Sequence, residues 1–130
     1  MLSIPRERSQ AALARLGEEV CARWLMSHGY QILCKNYTCP IGEIDIIAKN
    51  DNTVVFVEVK TRTTCAIGTP EEAVTHSKQH RIRRVACYFL SVGSAVIEDS
   101  QALQCRFDVA AVTVDRQRRR AKIRWIVDAF

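Results

Sequence analysis

Apolar residues recur along the chain at two spacings, and these divide it into elements. Leu13, Leu16, Gly17, Val20 and Trp24 repeat at helical intervals and predict a helix from about Ser9 to His28. His28 falls in the last turn, and Gly29 follows as a stop in the left-handed conformation. Tyr30 to Tyr37 reads as a first strand, closed by a turn bounded by Pro40 and Gly42. Gly42 to Asn50 and Thr53 to Arg62 are rich in Ile and Val and flank Asp51-Asn52, the pattern of a hairpin. Thr69-Pro70-Glu71-Glu72 has the composition of a helix start, with Thr75 as an alternative start. Ile82, Val85, Ala86, Phe89 and Leu90 give that helix an apolar face. Residues 91–104 read as a loop, Cys105 to Val114 as a strand and Lys122 to Val127 as another. The order α-β-β-β-α-β-β predicts an α/β fold with a mixed sheet flanked by helices.

The hairpin carries the first chemical signal. A tight turn at Asp51-Asn52 sets Ile44 opposite Val59, Ile46 opposite Val57 and Ala48 opposite Val55, all on one apolar face. The same register sets Asp45 opposite Glu58 and Glu43 opposite Lys60 on the other face, which Ile47, Val54 and Phe56 make apolar toward the turn. Opposed carboxylates repel, so an offsetting charge is required: a shared proton, a neighbouring Lys or Arg, or a divalent cation. The competing reading is a set of ordinary cross-strand ion pairs at a sheet edge.

Composition narrows the picture. A chain of 130 residues supports a single domain spanning 1–130, with residues 1–8 expected to be flexible. No secretory signal and no membrane-length apolar run is visible, so a cytoplasmic location with no membrane partner is expected. The six cysteines form no CxxC pair and are expected to be reduced and mostly buried. His28, His76 and His80 read as surface residues or caps; Trp24 and Phe89 read as core. The net charge of +5 is compatible with a polyanionic partner. Basic residues gather at 81–84 and 116–124, whereas acids gather at 43–58 and 71–72.

Gly42-Glu43-Ile44-Asp45-Ile46-Ile47-Ala48 and Val55-Phe56-Val57-Glu58-Val59-Lys60-Thr61-Arg62 resemble the YraN family of small bacterial proteins. The resemblance extends to Gly17-Glu18, Pro70 to Val74, Lys78-Gln79, Arg106-Phe107-Asp108-Val109 and Ala129-Phe130. That family is similar to archaeal Holliday-junction resolvases and the PD-(D/E)XK, or restriction-endonuclease-like, fold. The resemblance implies a nuclease: Asp45 as the motif aspartate, Glu58 and Lys60 as the (D/E)-x-K pair, and Glu18 as the acid of the first helix. One departure is Ile44 where the motif has proline.

On that footing Asp45, Glu58, the backbone carbonyl of Val59 and Glu18 are expected to bind Mg²⁺ or Mn²⁺. Lys60 would orient water or stabilise charge on the phosphate. Glu43 and Gln79 are candidate accessory residues. Lys78, Arg81 and Arg62 are candidate nucleic-acid contacts, with DNA favoured over RNA and branched DNA as one substrate; a homodimer is expected by analogy. Two other classes stay open: a non-catalytic nucleic-acid-binding module, and a subunit that acts only with a partner.

Overall fold

The computed structural model describes the backbone of residues 2–3 together with residues 9–63, 74–92 and 103–130. The first helix, α1 (Gln10–Ser27), starts where Ser9 accepts the Ala12 N–H at 3.0 Å and stops where Gly29 takes φ +87°. Then come β2 (Gln31–Thr38), β3 (Glu43–Asn50), β4 (Thr53–Thr63), α2 (His76–Val92), β5 (Gln104–Asp115) and β6 (Arg120–Ile126), preceded by a two-residue strand β1 (Leu2–Ser3). The helix and strand order matches the expectation, with boundaries shifted by a few residues. The strand β1, paired with β6, was not expected, and the Thr69–Glu72 helix start lies outside the described residues.

The strands form a six-stranded sheet in the order β1-β6-β5-β4-β3-β2. All pairs are antiparallel except β4–β5, which is parallel and has α2 between its strands in sequence. The central strands are buried on both faces, so their sequences are runs of Val, Ile and Ala rather than alternations. On one face Ile46, Ala48, Val55, Val57, Ala110 and Val112 pack under Leu13, Leu16, Val20 and Leu25 of α1. On the other, Ile47, Val54, Phe56, Phe107 and Val109 pack under Ile82, Val85 and Phe89 of α2. Alternation along β4 therefore sends Val55, Val57 and Val59 toward α1 and turns Glu58 and Lys60 toward α2.

Gly17 explains how closely α1 sits on the sheet. A Cβ at this position would lie 1.8 Å from Thr61 Oγ1, so only a residue without a side chain lets the helix cross β4 here. At the opposite end of the sheet, Asp108 is fully buried and saturated with donors. It accepts from Arg106 Nε and Nη2 at 2.9 Å each, Trp125 Nε1 at 2.8 Å and the Asp128 N–H at 2.9 Å. Arg106 also donates to Tyr30 Oη, tying β5 to the start of β2, and Trp125 stacks on Trp24 of α1.

The cysteines correct one expectation. Among the described residues, Cys21, Cys34, Cys39, Cys87 and Cys105 are free thiols, and of these five only Cys21 is buried; Cys87 and Cys105 are exposed. They lie on the solvent side of α2 and at the start of β5, where no core reaches. Among the described residues, no helix is long and apolar enough to cross a membrane.

Candidate functional site

The β3–β4 ladder runs from Asn50↔Thr53 to Ile46↔Val57 and ends there, while β3 stays paired with β2 through Thr38↔Glu43. The reason lies in the packing. Ile46 belongs to the core under α1, whereas Ile44, two residues away, belongs to the core under α2. On a regular strand these residues would share a face. The strand must turn over at Asp45, and β2 turns with it: Asn36, between the pairs Lys35↔Ile46 and Tyr37↔Ile44, takes φ 53°. The expected pairings of Ile44 with Val59, Asp45 with Glu58 and Glu43 with Lys60 are therefore not made. Ile44 is drawn into the cluster beneath α2, and β3 leaves β4 one residue short of the acids.

The opening is filled by chemistry. Asp45 Oδ2 accepts the backbone N–H of Val59 at 2.8 Å, a donor that the ladder no longer satisfies. In a strand the carbonyl of a residue points to the same side as its N–H, so Val59 O is aimed into the same gap. Asp45 is half-buried, and its pKa is raised to about 7. Burial is the main cause, followed by the negative charge of Glu58; the Val59 bond opposes the shift and Glu18 adds to it.

Glu58 is 7% exposed and carries two ammonium groups on one oxygen. Lys78 Nζ lies 2.6 Å from Oε1 and Lys60 Nζ lies 3.6 Å from the same atom. Lys78 sits in the first turn of α2, which Thr75 caps by accepting the Lys78 N–H on Oγ1 at 3.2 Å and the Gln79 N–H on its carbonyl at 2.8 Å. Burial lowers the Lys60 pKa, and the adjacent Lys78 lowers it further. Burial is the largest single influence on the Lys78 ammonium and acts against it, but the bond to Glu58, the contact with Lys60 and the charges of Glu58 and Asp45 together outweigh it and the pKa is raised. Among the described residues nothing donates to Asp45 Oδ1 or Glu58 Oε2.

The structure thus brings Asp45, Glu58, Val59, Lys60 and Lys78 together. Glu18, half-buried on α1 beside Gly17, acts electrostatically on Asp45. Among the described residues no group of three or more His, Cys, Asp or Glu side chains is placed to hold a metal ion. Glu43 is exposed at the start of β3, and Arg81 is exposed with its aliphatic carbons against Gly42. Gln79 is spent locally, donating to the Val74 carbonyl at 3.0 Å. Arg62 lies further along β4, half-buried and already engaged. His28, His76 and His80 are exposed, His28 as the cap of α1.

Sequence reasoning assigned Lys78 to nucleic acid and missed its ion pair with Glu58. The signal was available: α2 has no acid in its first turn, so a lysine there needs a partner from another element. It also left Asp108 without a role, although a carboxylate inside Phe107-Asp108-Val109-Ala110 demands buried donors.

Comparison with known proteins places the chain. A profile of the family described as uncharacterised protein family UPF0102 matches residues 17–112. A UPF0102 protein of Moorella thermoacetica is 46% identical over 116 residues, covering 89% of this chain and 92% of its own. Another from Caldicellulosiruptor bescii is 44% identical over 118 residues, covering 91% and 96%. A third, from Prosthecochloris aestuarii, is 48% identical over 100 residues, covering 77% and 75%.

Proposed function

We propose that this chain, which belongs to the UPF0102 family, is a metal-dependent endonuclease that hydrolyses phosphodiester bonds in DNA at the opening between β3 and β4. The observation that carries this reading is the nearness of a buried Glu58 and a half-buried Asp45, which act on one another electrostatically, just beyond the point where the β3–β4 ladder ends, with Lys60 beside Glu58. Acids are costly in such a place unless a cation matches them. The order α1, β2–β3–β4, α2, β5–β6 supports a PD-(D/E)XK core. The basic composition supports a polyanionic substrate, and α2 carries Lys78, Arg81, Arg83 and Arg84 with no acid along its length.

The residues fit a hard divalent cation. Asp45 Oδ1, Glu58 Oε2 and Val59 O are oxygen donors at one opening, of the kind that suits Mg²⁺ or Mn²⁺ with water completing the shell. Glu18 would act through such a water. A cation bound there supplies Lewis acidity toward a phosphate oxygen and lowers the pKa of its water. The protein does the rest. Asp45 is held in one orientation by the Val59 N–H, and Glu58 by the lysines. Lys60 projects to the same side as Glu58 and holds the attacking water or the developing charge on phosphate. Arg81, exposed on α2, meets the backbone of the substrate further out.

Purified protein incubated with branched, duplex and single-stranded DNA in Mg²⁺ or Mn²⁺ tests the reading. Cleavage is expected, and Asp45→Asn or Lys60→Ala should reduce it by about 10²-fold or more. Cleavage that survives both substitutions refutes the assigned roles. Salt-dependent DNA binding without cleavage in any metal would instead make the chain a binding module.

A further inference from the structure

Lys78 is the feature that the mechanism above leaves over. Lys60, two residues from Glu58 on β4, already serves the site, yet a second ammonium arrives from α2 and takes the shorter contact, 2.6 Å against 3.6 Å, on the same oxygen. Its position works against the helix. Lys78 lies in the first turn of α2, where the N–H groups give a partial positive charge and a cation is disfavoured. No acid in that turn offsets it. Glu58 is therefore the group that holds this ammonium in the opening, and Lys78 is the group that neutralises a buried Glu58.

We infer that Lys78 is a displaceable internal counter-cation: it holds Glu58 when no divalent ion is present, competes with that ion for the carboxylate, and is released toward the substrate phosphate when the ion binds. The inference rests on the cation site proposed above and concerns its regulation. Charge decides the direction. A divalent ion sharing Glu58 with two ammonium groups meets repulsion from both, and Lys78 can retreat because its side chain is about one-third exposed. Lys60 is more enclosed, at 25%, and stays. Once freed, the Lys78 ammonium stands at the amino end of α2, where the helix dipole also favours an anion. Cation and phosphate then promote one another, because the group displaced by the first becomes a ligand of the second.

Titration calorimetry of Mn²⁺ alone into metal-free protein tests this. Lys78→Gln, which keeps a hydrogen-bond donor without the charge, should bind Mn²⁺ about tenfold more tightly than wild type. Lys78→Arg should stay within about threefold of wild type, because it restores a competing cation. Amine acylation read by mass spectrometry supplies the second readout: Lys78 in the wild type should label several-fold faster in Mn²⁺ than without it. Equal Mn²⁺ affinity in wild type and Lys78→Gln, or Lys78 labelling unchanged by saturating Mn²⁺, overturns the competition and leaves the cation site standing. Absence of Mn²⁺ binding in both proteins overturns the cation site itself.

Discussion

The carboxylate of Asp45 accepts the backbone N–H of Val59 at 2.8 Å, so one side chain both satisfies the donor left where a strand ladder ends and forms part of the candidate site. Its chemistry and its structural role are therefore hard to separate by deletion. They separate by pH.

The Asp45 carboxyl is raised from 3.8 to about 7, chiefly by burial and then by Glu58. Below pH 3.8 it is protonated in both folded and unfolded chains and costs nothing. Between that value and about 7 the unfolded chain has lost a proton that the folded one keeps. Metal-free protein should therefore lose stability as pH rises through this window and level off above it. Asp45→Asn, whose amide oxygen can still accept from Val59, should lack that loss, so the wild-type Tm should fall relative to the variant as pH rises from 3.8 to about 7. Equal pH profiles for the two proteins would contradict the raised pKa.

The same proton links pH to the cation. At about pH 6 Asp45 must give up a proton before it can serve as a ligand, whereas at pH 8 it has already done so. Mn²⁺ binding should release close to one proton at the lower pH and little at the higher. Calorimetry in buffers of different ionisation enthalpy measures the number directly.

Gly17→Ala should destabilise the protein, although Ala favours helix over Gly by about 1 kcal/mol. The new Cβ would meet Thr61 Oγ1 at 1.8 Å, and overpacking of this kind costs about 1–3 kcal/mol. Adding Thr61→Ala removes the nearest atom and should recover part of the loss. Urea denaturation of the single and double variants gives the comparison.

Arg106→Ala should cost about 3 kcal/mol or more, because it strips a fully buried Asp108 of its charged partner. Trp125, bonded to Asp108 and stacked on Trp24, reports the change through its fluorescence. A loss below about 1 kcal/mol in denaturant titration would show that Trp125 and the Asp128 N–H suffice without the arginine.

Cys21 should resist alkylation until the protein unfolds, since it is buried and its thiol is pushed up to about 12 by burial. Cys87 and Cys105 should react in the native state. Mass spectrometry after brief iodoacetamide treatment distinguishes them.

The elements were legible because each rests on local chemistry: helical spacing in α1, its Ser9 cap and Gly29 stop, and the Ile/Val runs of β3 and β4. The hairpin register was legible as far as Ile46↔Val57 for the same reason. It failed beyond that point because an alternation rule assumes a flat, regular strand. What breaks the rule is the place of Ile44 in the cluster beneath α2, whose other members, such as Ile82 and Val85, lie far away in sequence. The acids and Lys60 were visible as letters. Their partners were not, since Val59 offers only a backbone donor and Lys78 arrives from another element.

The parallel pairing of β4 with β5 carries a consequence in time. Thr53 meets Gln104 and Thr63 meets Val114, so the strand that bears Glu58 is covered on that side only by chain made much later. During synthesis that edge of β4 has no partner until β5 has left the ribosome and the crossover that includes α2 can close. The β2–β3–β4 meander is contiguous in the chain, whereas the pair Glu58↔Val109 exists only once residue 109 has been made.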